Sequence, residues 1–148
     1  MISECIIALS SDKVGLCALD FFSFGHICLG IAIFLLISLL YTIPKHKGHT
    51  PIISLLLVFI LTVIALVLWE VIENTLLFEI GWKFEDRRDS PINITTDILF
   101  GILGALGMWL LCHIVFDKEK KIGYYYIFGG LCLAFWIIFY IVGRVFTL

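Results

Sequence analysis

The chain has 148 residues, 61% of them hydrophobic and 15% charged, with a formal net charge of -2. That leaves room for one domain and lies far above the apolar content of soluble proteins, so a soluble enzyme is excluded. The ten Lys and Arg residues are scattered through short loops without a basic stripe, which argues against nucleic acid as a partner.

The first twenty residues carry Glu4, Asp12, Lys13 and Asp20 among short apolar pieces. They lack the basic start and long apolar run of a cleavable signal peptide, so a short N-terminal interfacial segment that stays on the mature protein is expected. Cys5 and Cys17 flank an extramembrane turn there and are candidates to pair in an oxidising compartment, although spacing alone does not bring their side chains together. Cys28, Cys112 and Cys132 fall inside apolar spans, outside any CxxC pair, and read as small hydrophobes.

Four apolar stretches follow, at about 21–43, 52–74, 94–115 and 124–145. Each is near the ~20 residues needed to cross about 30 Å of hydrocarbon. The expectation is an all-α membrane protein: a four-transmembrane-helix antiparallel bundle forming a single transmembrane domain over residues 1–148. Such a chain is a multi-pass protein of the plasma (cytoplasmic) membrane, with membrane lipids as partners and both monomer and homo-oligomer open.

Span one is expected to end at the helix breaker Pro44, before the loop Lys45 to His49, and Pro51 to open span two. A longer connector, Thr75 to Ile92, mixes Leu76, Phe78, Trp82 and Phe84 with Lys83, Glu85, Asp86, Arg87, Arg88 and Asp89, a blend suited to the headgroup region. Asp117 to Lys121 joins spans three and four, and Tyr124 to Tyr126 supply an aromatic belt. Lys and Arg divide equally between the two sides. Because the rule weights short loops, the lysine loops are read as cytoplasmic and the termini and middle connector as external.

Ionisable groups inside a membrane cost about 2.5 to 3.5 kcal/mol each at mid-span, so each one near a span calls for an explanation. His26 lies near the start of span one, Glu70, Glu73 and Asn74 near the end of span two, and Asn93 and Asp97 at the opening of span three. Because the spans alternate in direction, all of these fall at one depth on one side. Glu70, Glu73 and Asn74 share a helix face, and Asp89, Asn93, Asp97 and Gly101 step by four into a row of small residues with Gly104 and Ala105. His26 and Gly30 repeat that pattern. The opposite halves of the spans read as largely without polar groups.

So many carboxylates in a small volume require a proton, a basic partner or a bound cation, and Arg87, Arg88 and Arg144 are the basic candidates. His26, Glu70, Glu73 and Asp97 form a legitimate ligand set for a divalent metal ion, though no HExxH fixes its geometry. An anion site is the alternative, with Arg87 or Arg88 on a lipid phosphate and His26 or a carboxylate moving a proton. Interhelical bonding alone is the third option. The Asn93-Ile94-Thr95 sequon opens a membrane helix and reads as accidental, and His46, His49 and His113 read as loop or rim residues.

Trp69-Glu70-Val71-Ile72-Glu73-Asn74 and Asp89-Ser90-Pro91-Ile92-Asn93-Ile94-Thr95-Thr96-Asp97 resemble the WExxEN and DSxxNxxxD motifs of an uncharacterised family of bacterial integral membrane proteins. Phe22-Ser23 and His26 to Gly30 are similar to that family's histidine motif, with Leu29 where a second histidine often stands. The resemblance covers about residues 21–107. More distantly, the chain is similar to VanZ-like membrane proteins associated with glycopeptide resistance. Neither resemblance names a reaction; both imply that the clustered residues are the functional centre.

The expected function is a membrane-embedded enzyme acting on a lipid or lipid-linked headgroup. His26, Glu70, Glu73 and Asp97 would serve as catalytic groups or metal ligands, with Asn74, Arg87, Arg88, Asp89, Ser90 and Asn93 binding around them. The alternatives are a small-molecule, proton or cation binding or transport module, and a structural accessory subunit.

Overall fold

The computed structural model describes residues 5–83, 86–116 and 122–146, so Phe84, Glu85, the loop Asp117 to Lys121 and the side chain of Arg144 lie outside the described residues. The long helices are α1 (Phe21–His46), α2 (Leu55–Ile72), α3 (Pro91–Ile114) and α4 (Ile122–Phe146), and α2 continues through a π-helical turn at Glu73–Leu77. All four are long and apolar enough to cross a membrane. An all-α, four-span membrane protein is therefore the architecture, with neighbouring spans alternating in direction along the chain.

Polar caps define where three of the helices begin. Asp20 accepts from the backbone N–H groups of Phe22 (2.8 Å) and Ser23 (3.1 Å), and Ser23 Oγ accepts in return from Asp20 N–H, a capping box that starts α1. Ser54 caps α2, so that helix begins after Pro51 rather than at it. Ser90 caps α3 with Pro91 in the first turn, where its missing N–H costs nothing.

Pro44 does not end α1; it sits inside the helix, which runs on to His46. The reason lies in the loop that follows. Proline cannot donate to the carbonyl of Leu40, and the N–H of Ile52 from the following loop takes that carbonyl instead at 3.1 Å. The turn then closes at Gly48, whose φ of +76° favours glycine. Likewise the second connector begins later than Thr75, because Thr75 lies within the π-helical turn.

The tightest pair is α1 and α3, which run in the same direction; α2 packs on both, and α4 leans mainly on α1. In lipid this packing is driven by close contact and interhelical hydrogen bonds rather than by escape from water. Gly30 and Gly101 meet backbone to backbone, and Gly104 meets the carbonyl of Ile27, so no Cβ fits at Gly30 or Gly104. Leu66 of α2 closes against Gly101. Below this crossing Ile31, Phe34, Leu35, Val58, Ala105, Met108 and Tyr125 form the apolar core. The half away from the polar cluster is less bare than its sequence suggests: Ser38, Thr42, Thr62 and Tyr125 are buried there. All four are neutral, and Ser38 Oγ and Tyr125 Oη pair at 2.6 Å between α1 and α4.

Candidate functional site

The N-terminal segment is a closed loop. Cys5 and Cys17 form a disulfide, and backbone bonds pair residues 5–8 with 18–19. Its Ile6, Ile7 and Leu9 side chains are exposed, as suits a segment resting at the membrane interface. The loop is fastened to the connector between α2 and α3. Arg87 donates to the carbonyls of Ser11 (2.8 Å), Asp12 (2.8 Å) and Val14 (2.9 Å), Ser90 Oγ donates to Leu16 O, and Ser90 N–H donates to Gly15 O at 2.7 Å.

Asp20 does more than cap α1. Its second oxygen accepts from Gly15 N–H at 2.8 Å and from Asn93 Nδ2 at 3.1 Å, joining the loop, α1 and α3 in one buried node. Six residues further, His26 faces inward from α1 and Asp97 from α3, both buried. Glu70 approaches from α2, and the widened turn after it sets Glu73 and Asn74. Asn74 Nδ2 donates to Glu70 O at 3.1 Å, and Asn74 Oδ1 accepts from Asp89 N–H at 2.7 Å, fixing the connector over the site. Turns of this widened kind are frequent at functional sites.

Among the described residues, the cation inside the cluster is Lys83. Gly81, at φ +69°, turns the chain back after α2, and Lys83 Nζ then lies 2.5 Å from Asp89 Oδ2 and 3.4 Å from Glu73 Oε1, with Lys83 only 2% exposed. Burial opposes its charge, but Glu73 and Asp89 outweigh that, holding its ammonium above the usual lysine range. Burial pushes the Asp89 carboxyl up, with Lys83 and Asn74 opposing. Arg87 and Arg88 do not fill this role. Arg87 is engaged by the N-terminal loop, and Arg88 is exposed with its guanidinium 4.8 Å from the ring centre of Phe78.

The centre of the cluster is a mismatch. His26 Nδ1 lies 3.1 Å from the Phe22 carbonyl, a pure acceptor, so Nδ1 carries the proton there and the neutral ring offers an Nε2 lone pair. That lone pair meets Glu70 Oε1 at 3.0 Å. Two acceptors so close repel unless a proton or a cation lies between them. The separation is that of an ion pair, yet the alignment is not that of a hydrogen bond: His26 Nε2, Glu70 Oε1 and Asp97 Oδ1 are all buried without a hydrogen-bond partner. Asp97 Oδ1 stands 3.7 Å from His26 Nδ1 on the other side of the ring.

His26, Glu70 and Glu73 each turn one donor atom to a common space, all within 4.8 Å of one another. Ligands about 2.1 Å from an ion stand up to about 4.2 Å apart across it, so a small inward movement of Glu73 suffices to close the set. The 3.0 Å between His26 and Glu70 corresponds to a near-right angle at such an ion, as in six-coordinate geometry. One nitrogen and two carboxylates converging in this way could hold a divalent metal ion. Beside them is a cavity of about 40 Å³, lined by His26, Glu73, Lys83, Asp89 and Asp97 together with several aromatic rings. That is room for a few waters or a small group.

Of the residues expected in the site, the structure gathers His26, Glu70, Glu73, Asn74, Asp89, Asn93 and Asp97. Ser90 and Arg87 lie at its edge, spent on the backbone of the N-terminal loop, and Arg88 lies outside it. Asn93 is 1% exposed, which makes its sequon inaccessible. Reading the sequence missed Lys83 and Asp20. The second had a signal, since Asp20-Phe21-Phe22-Ser23 before an apolar run has capping-box spacing.

Fold and site together define a multi-pass helical membrane protein with a buried histidine and carboxylate cluster towards one end of its bundle. No protein-family model, curated protein or solved structure matches the chain.

Proposed function

We propose that the protein is a membrane-embedded enzyme acting on a lipid or lipid-linked headgroup, with a divalent metal ion held by His26, Glu70 and Glu73. The observation that carries this reading is that His26 Nε2 and Glu70 Oε1 are buried 3.0 Å apart, neither with an aligned hydrogen-bond partner. A divalent ion there would act as a Lewis acid and lower the pKa of a bound water. Asp97, facing the same cavity with one oxygen unpartnered, is placed to accept a proton, and Phe22 O fixes the imidazole that presents Nε2. Lys83 and Asn74 hold Glu73, Glu70 and Asp89 in place.

The site lies near one end of the spans and is closed beneath by the Gly30, Gly101 and Gly104 crossing and by Leu66, which favours chemistry at one face over passage through the membrane. The motif resemblance supports the same residues as the centre. The disulfide supports an external position for this face, since disulfides persist in oxidising compartments.

Elemental analysis of the purified protein, wild type beside Glu73→Gln, tests the proposal. Stoichiometric metal that is lost in the variant supports it. If no metal is found, and Glu70→Gln and Glu73→Gln leave lipid turnover and ion flux unaltered while lowering thermal stability, the cluster serves only to join the helices.

A further inference from the structure

The lining of the cavity beside the cluster is of two unlike kinds. It carries the carboxylates of Asp20, Glu73, Asp89 and Asp97, with His26 and Lys83 among them, and the rings of Trp69, Trp82, Trp136, Phe139 and Tyr140. The aromatic part of the lining is built where α2 meets α4. Trp69 packs against Trp136 and Tyr140 with ring centres 5.1 and 6.1 Å apart, and Tyr140 Oη donates to the carbonyl of Trp82 at 3.4 Å. An exposed Trp82 sits at the mouth.

Charge decides what such a cavity accepts. Lys83 is already shared between Glu73 and Asp89, and both arginines of the connector are directed elsewhere. Even with a divalent ion on His26, Glu70 and Glu73, the carboxylates of Asp20, Glu70, Glu73, Asp89 and Asp97 outnumber the positive charges among the described residues, which are then the ion and Lys83. The buried, unpartnered oxygen of Asp97 belongs to this cavity and still lacks a donor. Among the described residues an anionic group entering here would meet net negative charge, whereas a cation would meet both carboxylates and electron-rich aromatic rings. That pairing is the usual setting for organic ammonium recognition.

We infer that this cavity binds an organic ammonium group, carried either by a membrane lipid headgroup or by a free amine. The inference rests on the proposed headgroup site and names its substrate chemistry, but it does not depend on the metal. Three of the four tryptophans line the cavity, so intrinsic fluorescence reports its occupancy.

The test titrates wild-type protein in neutral detergent with ethanolamine and choline, and with 3,3-dimethylbutanol as the uncharged shape of choline. A parallel arm uses nanodiscs containing phosphatidylethanolamine or, in its place, phosphatidylglycerol. Expected is a saturable fluorescence change with the ammonium compounds that is at least tenfold weaker with the uncharged isostere and at least fivefold weaker in Trp136→Leu and in Asp97→Asn. A response to phosphatidylethanolamine without one to the free amines identifies the lipid as the source; the reverse identifies the free amine. Equal response to the isostere, or preference for phosphatidylglycerol, overturns the inference on wild-type protein alone. Repeating the titration after chelation separates the two proposals: ammonium binding by protein that never takes up metal upholds this inference and removes the metal reading.

Discussion

His26 Nε2 and Glu70 Oε1 face each other at 3.0 Å, and with the Phe22 carbonyl beside Nδ1 a neutral His26 leaves both of them acceptors. Glu70→Gln converts the second acceptor into an amide able to donate to Nε2. Without metal, the variant is expected to unfold at the same or a higher temperature than wild type. With metal the order reverses, since a ligand at a hundredfold excess over its Kd stabilises wild type by about 2.7 kcal/mol. Melting curves in detergent with and without the ion check both halves, and a variant destabilised under both conditions contradicts this account of the pair.

Gly30 and Gly101 bring α1 and α3 into backbone contact directly under the cluster. Gly30→Ala and Gly104→Ala place a methyl on the carbonyls of Gly101 and Ile27, backbone atoms that cannot step aside, and a loss of about 1 to 3 kcal/mol is expected from overpacking. Gly107, on the same helix, has open space around it, so Gly107→Ala should leave stability unchanged or slightly raised. Thermal unfolding of the three variants side by side tests the crossing; equal behaviour would refute it.

What the sequence disclosed and what it hid divide along a physical line. The four spans and the common depth of His26, Glu70 and Asp97 follow from hydropathy and alternating direction, which need no tertiary detail. Span ends were harder, because they depend on distant partners: α1 passes Pro44 only because Ile52 N–H reaches the Leu40 carbonyl. The countercharge was hidden for a similar reason. Lys83 stands among headgroup-like residues, and only the left-handed turn at Gly81 sends it under Glu73, while Arg87 is drawn away by carbonyls more than 70 positions earlier in the chain.

Arg87 and Arg88 are adjacent yet have different duties, so their alanine variants should differ. Arg87→Ala removes the clamp on Ser11, Asp12 and Val14 and should increase proteolysis and hydrogen exchange of residues 5–19 while leaving the metal content of the cluster intact. Arg88→Ala removes only a contact with Phe78 and should change stability by about 0.5 to 1 kcal/mol or less. Loss of lipid turnover in Arg88→Ala with unchanged stability would restore this residue to the site.

The disulfide and the lysine loops give a common orientation. With the loop of residues 5–19 in an oxidising compartment, a membrane-impermeant maleimide should label Leu9→Cys in intact cells, because that position is exposed. Lys47→Cys, in the loop on the opposite side, should be labelled only after permeabilisation. The reverse pattern would invert the topology and count against a persistent Cys5–Cys17 bond.

Lys83 gives a prediction with a sign in pH. Its ammonium bridges Glu73 and Asp89, and Lys83→Met leaves both carboxylates buried without it, at an expected cost of about 3 kcal/mol near neutral pH. Since the folded protein holds the lysine above its ordinary value of 10.5, the stability it contributes is complete below that pH and is lost as pH rises through the folded value. Wild type should therefore lose stability in the alkaline range relative to Lys83→Met, whose curve lacks this component. On the acid side the two should also converge, because protonation neutralises Asp89, whose carboxyl burial already pushes up. The difference between the two melting temperatures is thus expected to be largest around neutrality and to shrink towards both ends of the scale. A difference that stays constant across pH would show that Lys83 stabilises the fold by packing rather than by charge.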